Sequence, residues 1–283
     1  MAVFGQRELK NAIEDASLRG ACRSIWKHRS LIWQLIKRDV SAKYRGLSLG
    51  MAWVILQPLL MLVLYTFVFS TVFKARWNIP GADSTLSFGL VLWIGLTTFN
   101  VFSEGLTRAP NLITSHANYV KKVVFPLELL PVVALGTALF GWIVNTTILI
   151  IALVGSGTAL QLGILQIPLL LVPLALLTLG LMWFLAAMGV YLRDTAQTIG
   201  LIVTALMFMS PVFYPVSSVP EAYRVLLQLN PVSFYIEQAR LVTFDSMPLD
   251  YAGLAVHAAF SLLVAAGGFA VFQRVRKGFA DVL

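Results

Sequence analysis

Six long apolar stretches, separated by short charged segments, constrain this chain more than any other feature. A helix needs roughly 20 apolar residues to cross the hydrocarbon layer of a membrane. Only 12% of the residues are charged, against roughly 25% in a soluble domain. Between Leu129 and Leu192 there is no Asp, Glu, Lys or Arg at all. We therefore predict an all-α membrane protein with six transmembrane helices. The predicted spans are 49–73, 86–105, 127–154, 164–192, 196–214 and 251–272.

The positions of Lys and Arg predict how these spans are oriented. Cytoplasmic loops of membrane proteins carry an excess of both residues. With the N-terminus inside, 17 of the 21 basic residues fall on the cytoplasmic side. We therefore predict that both termini are cytoplasmic, and we attribute the net charge of +8 to topology and membrane lipids rather than to nucleic acid. The predicted organisation is a cytoplasmic N-terminal segment at 1–48, a transmembrane domain at 49–273 and a cytoplasmic tail at 274–283.

Two further segments are apolar but do not fit plain spans. Residues 25–45 place their apolar and aromatic side chains on one helical face. This pattern predicts an amphipathic helix lying on the cytoplasmic leaflet, with packing on a partner as the alternative. Between 212 and 250, four prolines separate apolar pieces that are too short to span. We predict short re-entrant helices there, with an external cap as the alternative.

Small and polar residues near the first span support weaker predictions. Gly46 and Gly50 are four residues apart, a spacing that lets two helices approach closely. Gln57 and Pro58 lie inside the span, where proline removes a backbone hydrogen bond and kinks the helix. Gln57 then either supports bent packing or faces a transport pathway.

No energy source is visible in this sequence. It has no Gly-Lys-Ser or Gly-Lys-Thr phosphate-binding loop, and its single Cys and three scattered His do not have the spacing of a metal site. Ion-coupled transporters carry ionisable groups inside the membrane, whereas these predicted spans contain almost no ionisable side chains. We therefore expect no enzyme activity, metal or cofactor in this chain. ATP and Mg²⁺ would be bound by a separate ATPase subunit on the cytoplasmic side.

An ordered set of motifs resembles the type-2 ABC exporter permeases. The resemblance is closest to those that export lipid-linked polysaccharide such as O-antigen or capsule. The motifs are IKRDVSAKYRG at 36–46, LGMAW at 49–53, QPL at 57–59, YLRD at 191–194, SPVFYP at 210–215, LNP at 229–231, and Arg240. The alternatives are a permease of the same architecture for a small lipid or drug and, from another class, an ion-coupled secondary transporter.

The resemblance implies a homodimer with two nucleotide-binding subunits. It also implies that the helix before Leu49 is an interface helix and that residues 107–125 carry a coupling helix. The apolar pieces at 212–240 would be short periplasmic helices. The protein would lie in the bacterial inner membrane. Its substrate would be an undecaprenyl-pyrophosphate-linked glycan that enters from the cytoplasmic leaflet.

Candidate site residues follow from these implications. A pyrophosphate at the cytoplasmic interface needs cationic donors, and Arg38, Lys43 and Arg45 lie at the entry to the first span. Topology and attraction to anionic lipids explain the same three residues without a substrate. The expected conduit lining is Trp53, Tyr65 and Phe73. The expected ATPase contacts are Asn111, Ser115, His116, Asn118, Tyr119, Lys121, Arg193 and Asp194.

Overall fold

The computed structural model describes residues 17–72, 85–121, 125–156, 161–244 and 247–283, and in these ranges it contains helices and no strand. The first four helices are α1 (Leu18–Lys27), α2 (Arg29–Tyr44), α3 (Trp53–Tyr65, continued as a π-helix over Thr66–Val72) and α4 (Thr85–Arg108). The next four are α5 (Ala117–Lys121), α6 (Leu129–Gly155), α7 (Ile167–Tyr191) and α8 (Thr195–Met209). The last four are α9 (Glu221–Leu229), α10 (Pro231–Phe244), α11 (Tyr251–Val275) and α12 (Phe279–Val282).

Five helical segments are long and apolar enough to cross a membrane, which confirms five of the six predicted spans. The predicted fifth span, 196–214, corresponds to α8, an apolar helix of 15 residues that is shorter than the others. The five segments are Gly50–Phe69, Phe88–Asn111, Leu129–Gly155, Leu162–Tyr191 and Tyr251–Val282.

The amphipathic segment before the first span forms two helices rather than one. The helix is interrupted at His28, whose ring Nδ1 lies 2.9 Å from the carbonyl oxygen of Ser24. Helix α2 buries Ile32 and Leu35 against α6. Gly136 of α6 makes room for this packing, because a Cβ there would lie 2.9 Å from Cγ1 of Ile36.

The outer face of α1 and α2 carries exposed tryptophans beside cations. Trp26 is 73% exposed and Trp33 is 58% exposed. The guanidinium of Arg29 lies 5.1 Å from the ring centre of Trp26, and the Lys37 ammonium lies 5.0 Å from that of Trp33. Aromatic and cationic side chains on one face suit the headgroup layer of a membrane.

Gly46 and Gly50 form a turn rather than one helical face, and within the described chain they do not make the predicted close helix contact. Both have positive φ, at 84° and 49°, a conformation that glycine adopts without steric cost. An added Cβ at either residue would have no neighbour within 4 Å in the described structure. The two glycines therefore redirect the chain from α2 into the first span.

The spans differ widely in how far the chain buries them. In the apolar stretch of α4, 83% of the residues are buried, whereas the first span, built from α3 and its π-helical extension, reaches only 6%. Helix α7 packs closely along α11, where Gly180 and Gly268 bring the two backbones together. Helix α4 is thus the centre of the bundle, and the first span stands at its edge.

Arg240 of α10 ties the segment after α8 to the bundle. Its guanidinium is buried and donates to the backbone oxygens of Val91, Pro211 and Val212. Gly95 of α4 leaves the space for it, since a Cβ there would lie 3.2 Å from Cζ of Arg240. Asn230 assists by donating to Ser210 Oγ at 2.8 Å.

Candidate functional site

A cleft of about 550 Å³ lies between the first span and the bundle. Its walls come from α3, α4 and α6, with the end of α2 at one opening and Met207 of α8 at its edge. The cleft exists because α3 contacts the bundle sparsely and buries only Leu62, whereas its π-helical extension packs on α4, with Phe69 stacked on Phe88. Its volume is in the range of small-molecule binding sites.

The wall that α4 contributes is polar along a helical stripe. Asn100, Ser103, Glu104, Thr107 and Arg108 recur at three- and four-residue spacing and all line the cleft. Side chains at this spacing share one face of a helix. The most buried span therefore has a polar face that is directed into the cleft rather than into the apolar core.

Gln57 and Tyr65 contribute the opposite wall from the first span. Gln57 is exposed and lines the cleft, beside Pro58 inside the helix, and its role in a pathway stays a prediction. Tyr65, one of the predicted lining residues, also borders the cleft, whereas Trp53 does not border it. Phe73 lies outside the described residues.

A hydrogen bond from a tryptophan joins the two walls of the cleft that α4 and α6 form. Trp93 of α4 is almost fully buried, and its Nε1 donates to the backbone oxygen of Asn145 in α6 at 3.1 Å. Trp142, one turn before Asn145, borders the same cleft. The relative position of α4 and α6 is thus held by a hydrogen bond, while the first span is the less restrained wall.

Four charged side chains from α2 and α4 surround the opening of the cleft at the α2 end. Lys43 Nζ lies 3.1 Å from Glu104 Oε1, and Arg108 donates to Asp39 at 2.7 Å. Thr137 of α6 also donates to Asp39, at 2.8 Å. Two cations and two carboxylates balance, so this opening has no excess positive charge.

The three predicted headgroup residues have different surroundings. Lys43 is already paired with Glu104, as described above. Arg38 donates to the hydroxyl of Tyr119 at 3.3 Å and therefore connects α2 with the loop that follows α4. Arg45 is exposed and forms no ion pair with any residue that the structure describes. Arg45 is thus the cation most available to an anionic ligand.

The loop after α4 is folded and anchored rather than free. Two 3₁₀ turns, Ala109–Asn111 and Thr114–His116, lead into α5. Pro110 and Ile113 are buried, and Tyr119 stacks on Phe125 with ring centres 4.8 Å apart. Its buried residues fix the loop, and its exposed residues form a separate surface.

The predicted ATPase contacts divide along the same line. Asn111, Ser115 and Asn118 are exposed on the loop, as are Arg193 and Asp194 between α7 and α8. His116 and Tyr119 are half-buried and stack on each other with ring centres 5.5 Å apart. The side chain of Lys121 lies outside the described part of the chain. The exposed members form a polar surface at the end of the bundle where α4 ends and α8 begins.

Glu128 joins the described N-terminal and C-terminal segments at this face and was not among the predicted site residues. Its carboxylate accepts from Ser24 of α1 at 2.9 Å and from Arg276, just after α11, at 2.8 Å. Its backbone oxygen accepts from Trp183 of α7 at 3.0 Å. A movement of the loop before α6 would therefore act on three other segments.

Gly189 sets how closely the loop approaches α7, and its substitution is expected to displace the loop. A Cβ at Gly189 would lie 2.7 Å from the carbonyl carbon of Pro110, and both atoms belong to backbone. For Gly189→Val we expect a loss of about 2 kcal/mol in stability and a change in loop position. Protease accessibility of the loop in membrane vesicles measures the change. Gly267→Val is the matched control, because a Cβ there meets open space; equal accessibility in both variants would contradict the expectation.

Sequence reasoning missed the cleft itself and the residues that make it polar. Asn100 and Arg108 were not singled out, because one polar residue in an apolar run has no assigned direction until neighbouring helices are placed. The available signal was the three- and four-residue spacing from Asn100 to Arg108.

The chain is similar to known membrane transport proteins over most of its length. The family model described as ABC-2 type transporter matches residues 30–244. The O-antigen export system permease protein RfbA of Myxococcus xanthus is 26% identical over 261 residues, covering 92% of this chain and 97% of that protein.

Two further relatives extend the comparison. An RfbA protein of the same description from Klebsiella pneumoniae is 22% identical and covers 89% of this chain and 95% of its own length. The polysialic acid transport protein KpsM of Escherichia coli is 23% identical, with coverages of 84% and 91%.

Proposed function

This chain belongs to the ABC-2 type transporter family, and from that premise we propose that it is the membrane permease subunit of an ATP-driven polysaccharide exporter. The observation that carries the proposal is the nearly end-to-end match to relatives named for export of O-antigen and transport of polysialic acid. The polar cleft between apolar spans supports it, since an exporter of sugars needs polar surface inside the membrane.

The proposed topology has six passes, with both termini in the cytoplasm. Glu128 contacts both Ser24 and Arg276, so the described N-terminal and C-terminal segments meet at one end of the bundle. That arrangement requires an even number of crossings. Helix α8 rises about 22 Å, and the apolar residues that follow it extend the crossing towards the roughly 30 Å of hydrocarbon. The excess of Lys and Arg in the segments at this shared end supports a cytoplasmic location for it.

Helices α9 and α10 are proposed to be short re-entrant or interfacial helices on the periplasmic side. Both are too short to span, and α10 is largely buried beside α4 and α7. Arg240 satisfies backbone oxygens at the break after α8, as irregular backbone at membrane depth requires. On the opposite face, α1 and α2 are proposed to lie on the cytoplasmic leaflet as the interface helix.

We infer that two copies assemble with two nucleotide-binding subunits. The first span is almost unburied within one chain, and α8 buries only Val203 among its side chains. These two faces are proposed to meet a second copy and to enclose the conduit. The surface proposed to contact the ATPase subunits consists of Asn111, Ser115, Asn118, Arg193 and Asp194. The ATPase subunits would bind ATP and Mg²⁺.

The proposed substrate is an undecaprenyl-pyrophosphate-linked glycan that enters from the cytoplasmic leaflet. Arg45 is the preferred headgroup ligand because it has no intramolecular ion pair in the described structure. Arg38 and Lys43 take part only if they exchange Tyr119 and Glu104 for the phosphate oxygens.

Co-purification from the native host tests the assembly. We expect the affinity-tagged chain to elute as a dimer with an equal number of ATPase subunits, and deletion of its gene to abolish the surface polysaccharide. Asn118→Trp should release the ATPase because it places a large ring on the docking surface. Gln228→Trp is the control, since it changes an exposed amide at the opposite end. A lone monomer without an ATPase would contradict the proposal.

A further inference from the structure

The amide side chains of Gln57 and Asn100 line opposite walls of the cleft, and neither has a hydrogen-bond partner in the described structure. Asn100 is exposed on α4 although most of that helix is buried, and Gln57 is exposed on the first span. An amide without a partner costs roughly 2–7 kcal/mol in an apolar medium. In a membrane, water or a hydroxyl-bearing ligand in the cleft would supply the missing hydrogen bonds.

The position of Asn100 along α4 indicates that its amide needs a hydrogen-bond partner within the depth of the membrane. Asn100 precedes Arg108 by eight residues, which corresponds to about 12 Å along the helix. Arg108 belongs to the charged group at the cytoplasmic opening. The cleft thus runs from paired charges at its opening to neutral amides deeper along the helix. This order suits a ligand whose anionic end exchanges into the ion pairs and whose body is rich in hydroxyl groups.

Aromatic rings complete the chemistry of the cleft. Tyr44, Tyr65 and Trp142 border it and are each partly exposed. A sugar ring presents apolar C–H faces to aromatic rings and hydroxyls to amides. An acyl chain would use the rings but would leave Gln57 and Asn100 unsatisfied, so the lining favours a carbohydrate over a lipid tail.

We propose that the cleft inside each protomer, between the first span and helices α4 and α6, binds the first sugars of the glycan, with Asn100 and Gln57 as hydrogen-bonding ligands. The phosphate next to these sugars lies at the charged opening, where Lys43 and Arg108 exchange Glu104 and Asp39 for its oxygens. Arg45, which has no ion pair in the described structure, follows two residues after Lys43. This inference rests on the proposed function. It places a glycan-binding site within a single chain rather than only between two copies.

Thiol labelling of the assembled transporter tests the site directly. Cys22 is the single cysteine and is exposed, so Cys22→Ser provides a cysteine-free background. In that background, Asn100→Cys and Gln57→Cys are treated with a membrane-impermeant sulfonated thiol reagent in inside-out vesicles that contain the ATPase. Thr147→Cys is the matched control, because Thr147 is an exposed polar residue on α6 that does not border the cleft.

We expect the reagent to modify the two cleft cysteines and not the control. Lipid-linked glycan extracted from the host should slow modification about tenfold at roughly ten times its dissociation constant. The same extract after mild acid hydrolysis, which separates glycan from lipid, should protect far less. Protection by the lipid component alone would assign the cleft to the lipid, and absence of modification would show that it is not polar; either result overturns the proposal.

Export measurements separate this inference from the proposed function. The double variant Asn100→Leu, Gln57→Leu should lower surface polysaccharide roughly tenfold at equal protein abundance, whereas Thr147→Val should not. If gene deletion abolishes surface polysaccharide but the double variant exports normally, the site is wrong and the function stands. If deletion leaves the polysaccharide unchanged, the proposed function fails.

Discussion

Replacing Arg240 with alanine is expected to destabilise the protein more than replacement of any exposed arginine. The buried guanidinium donates to the backbone oxygens of Val91, Pro211 and Val212, which join α4 to the break after α8. Removing the donor leaves these acceptors unsatisfied in a buried site, at a cost of at least about 3 kcal/mol. For a chain of this length, that loss lowers the melting temperature by roughly 10 °C.

Thermal unfolding in detergent, followed by loss of the monodisperse chromatographic peak, measures this effect. Arg224→Ala is the matched control, because the half-buried Arg224 in the neighbouring α9 donates to one backbone oxygen, that of Val219 at 2.9 Å, and pairs with the exposed Glu221 at 3.8 Å. An exposed pair of this kind contributes about 0–1 kcal/mol. Arg240→Lys should also be destabilised, since an ammonium group does not reproduce the planar fork of guanidinium donors. Equal melting temperatures for the two alanine variants would show that Arg240 does not hold this break.

Gly268→Val should separate α7 from α11 and cause a comparable loss. A Cβ at Gly268 would lie 2.7 Å from the carbonyl carbon of Gly180, and a Cβ at Gly180 would lie 2.6 Å from the backbone of Ala265. Backbone atoms do not move aside as a flexible side chain does. The helices must therefore move apart, at a cost of about 3 kcal/mol, and the close packing that holds them in a membrane is lost.

The adjacent glycine supplies a control within the same helix. A Cβ at Gly267 meets open space, so Gly267→Val keeps the α7–α11 contact and changes only the local helix propensity. We expect Gly267→Val to behave like the natural protein and Gly268→Val to lose stability and membrane abundance in the same thermal assay. Similar stability of the two variants would mean that α7 and α11 do not pack through Gly180 and Gly268.

The docking surface and the headgroup residues show how far a sequence pattern extends to a site. The loop at 107–125 was predicted because of its polarity and length, and its exposed members Asn111, Ser115 and Asn118 remain predictions. The pattern did not separate them from His116 and Tyr119, which stack on each other. Exposure depends on where α7 and the chain termini pack, and residue type does not contain that information.

Sequence alone determined the spans, because crossing a membrane depends on the length and apolarity of one continuous segment. Five of the six predicted spans are confirmed, and the sixth corresponds to the shorter apolar helix α8. The orientation likewise follows from the distribution of Lys and Arg along the chain, although it stays a prediction.

Only the tertiary structure decided which residues share a surface. It pairs Lys43 with Glu104 and Arg108 with Asp39, aims Asn100 and Gln57 into one cleft, and places Arg240 at the break after α8. It also makes Gly46 and Gly50 a turn. Each of these results depends on contacts between helices that are distant in the sequence. A helix has several faces, and the packing of its neighbours selects the face that is buried, paired or left open.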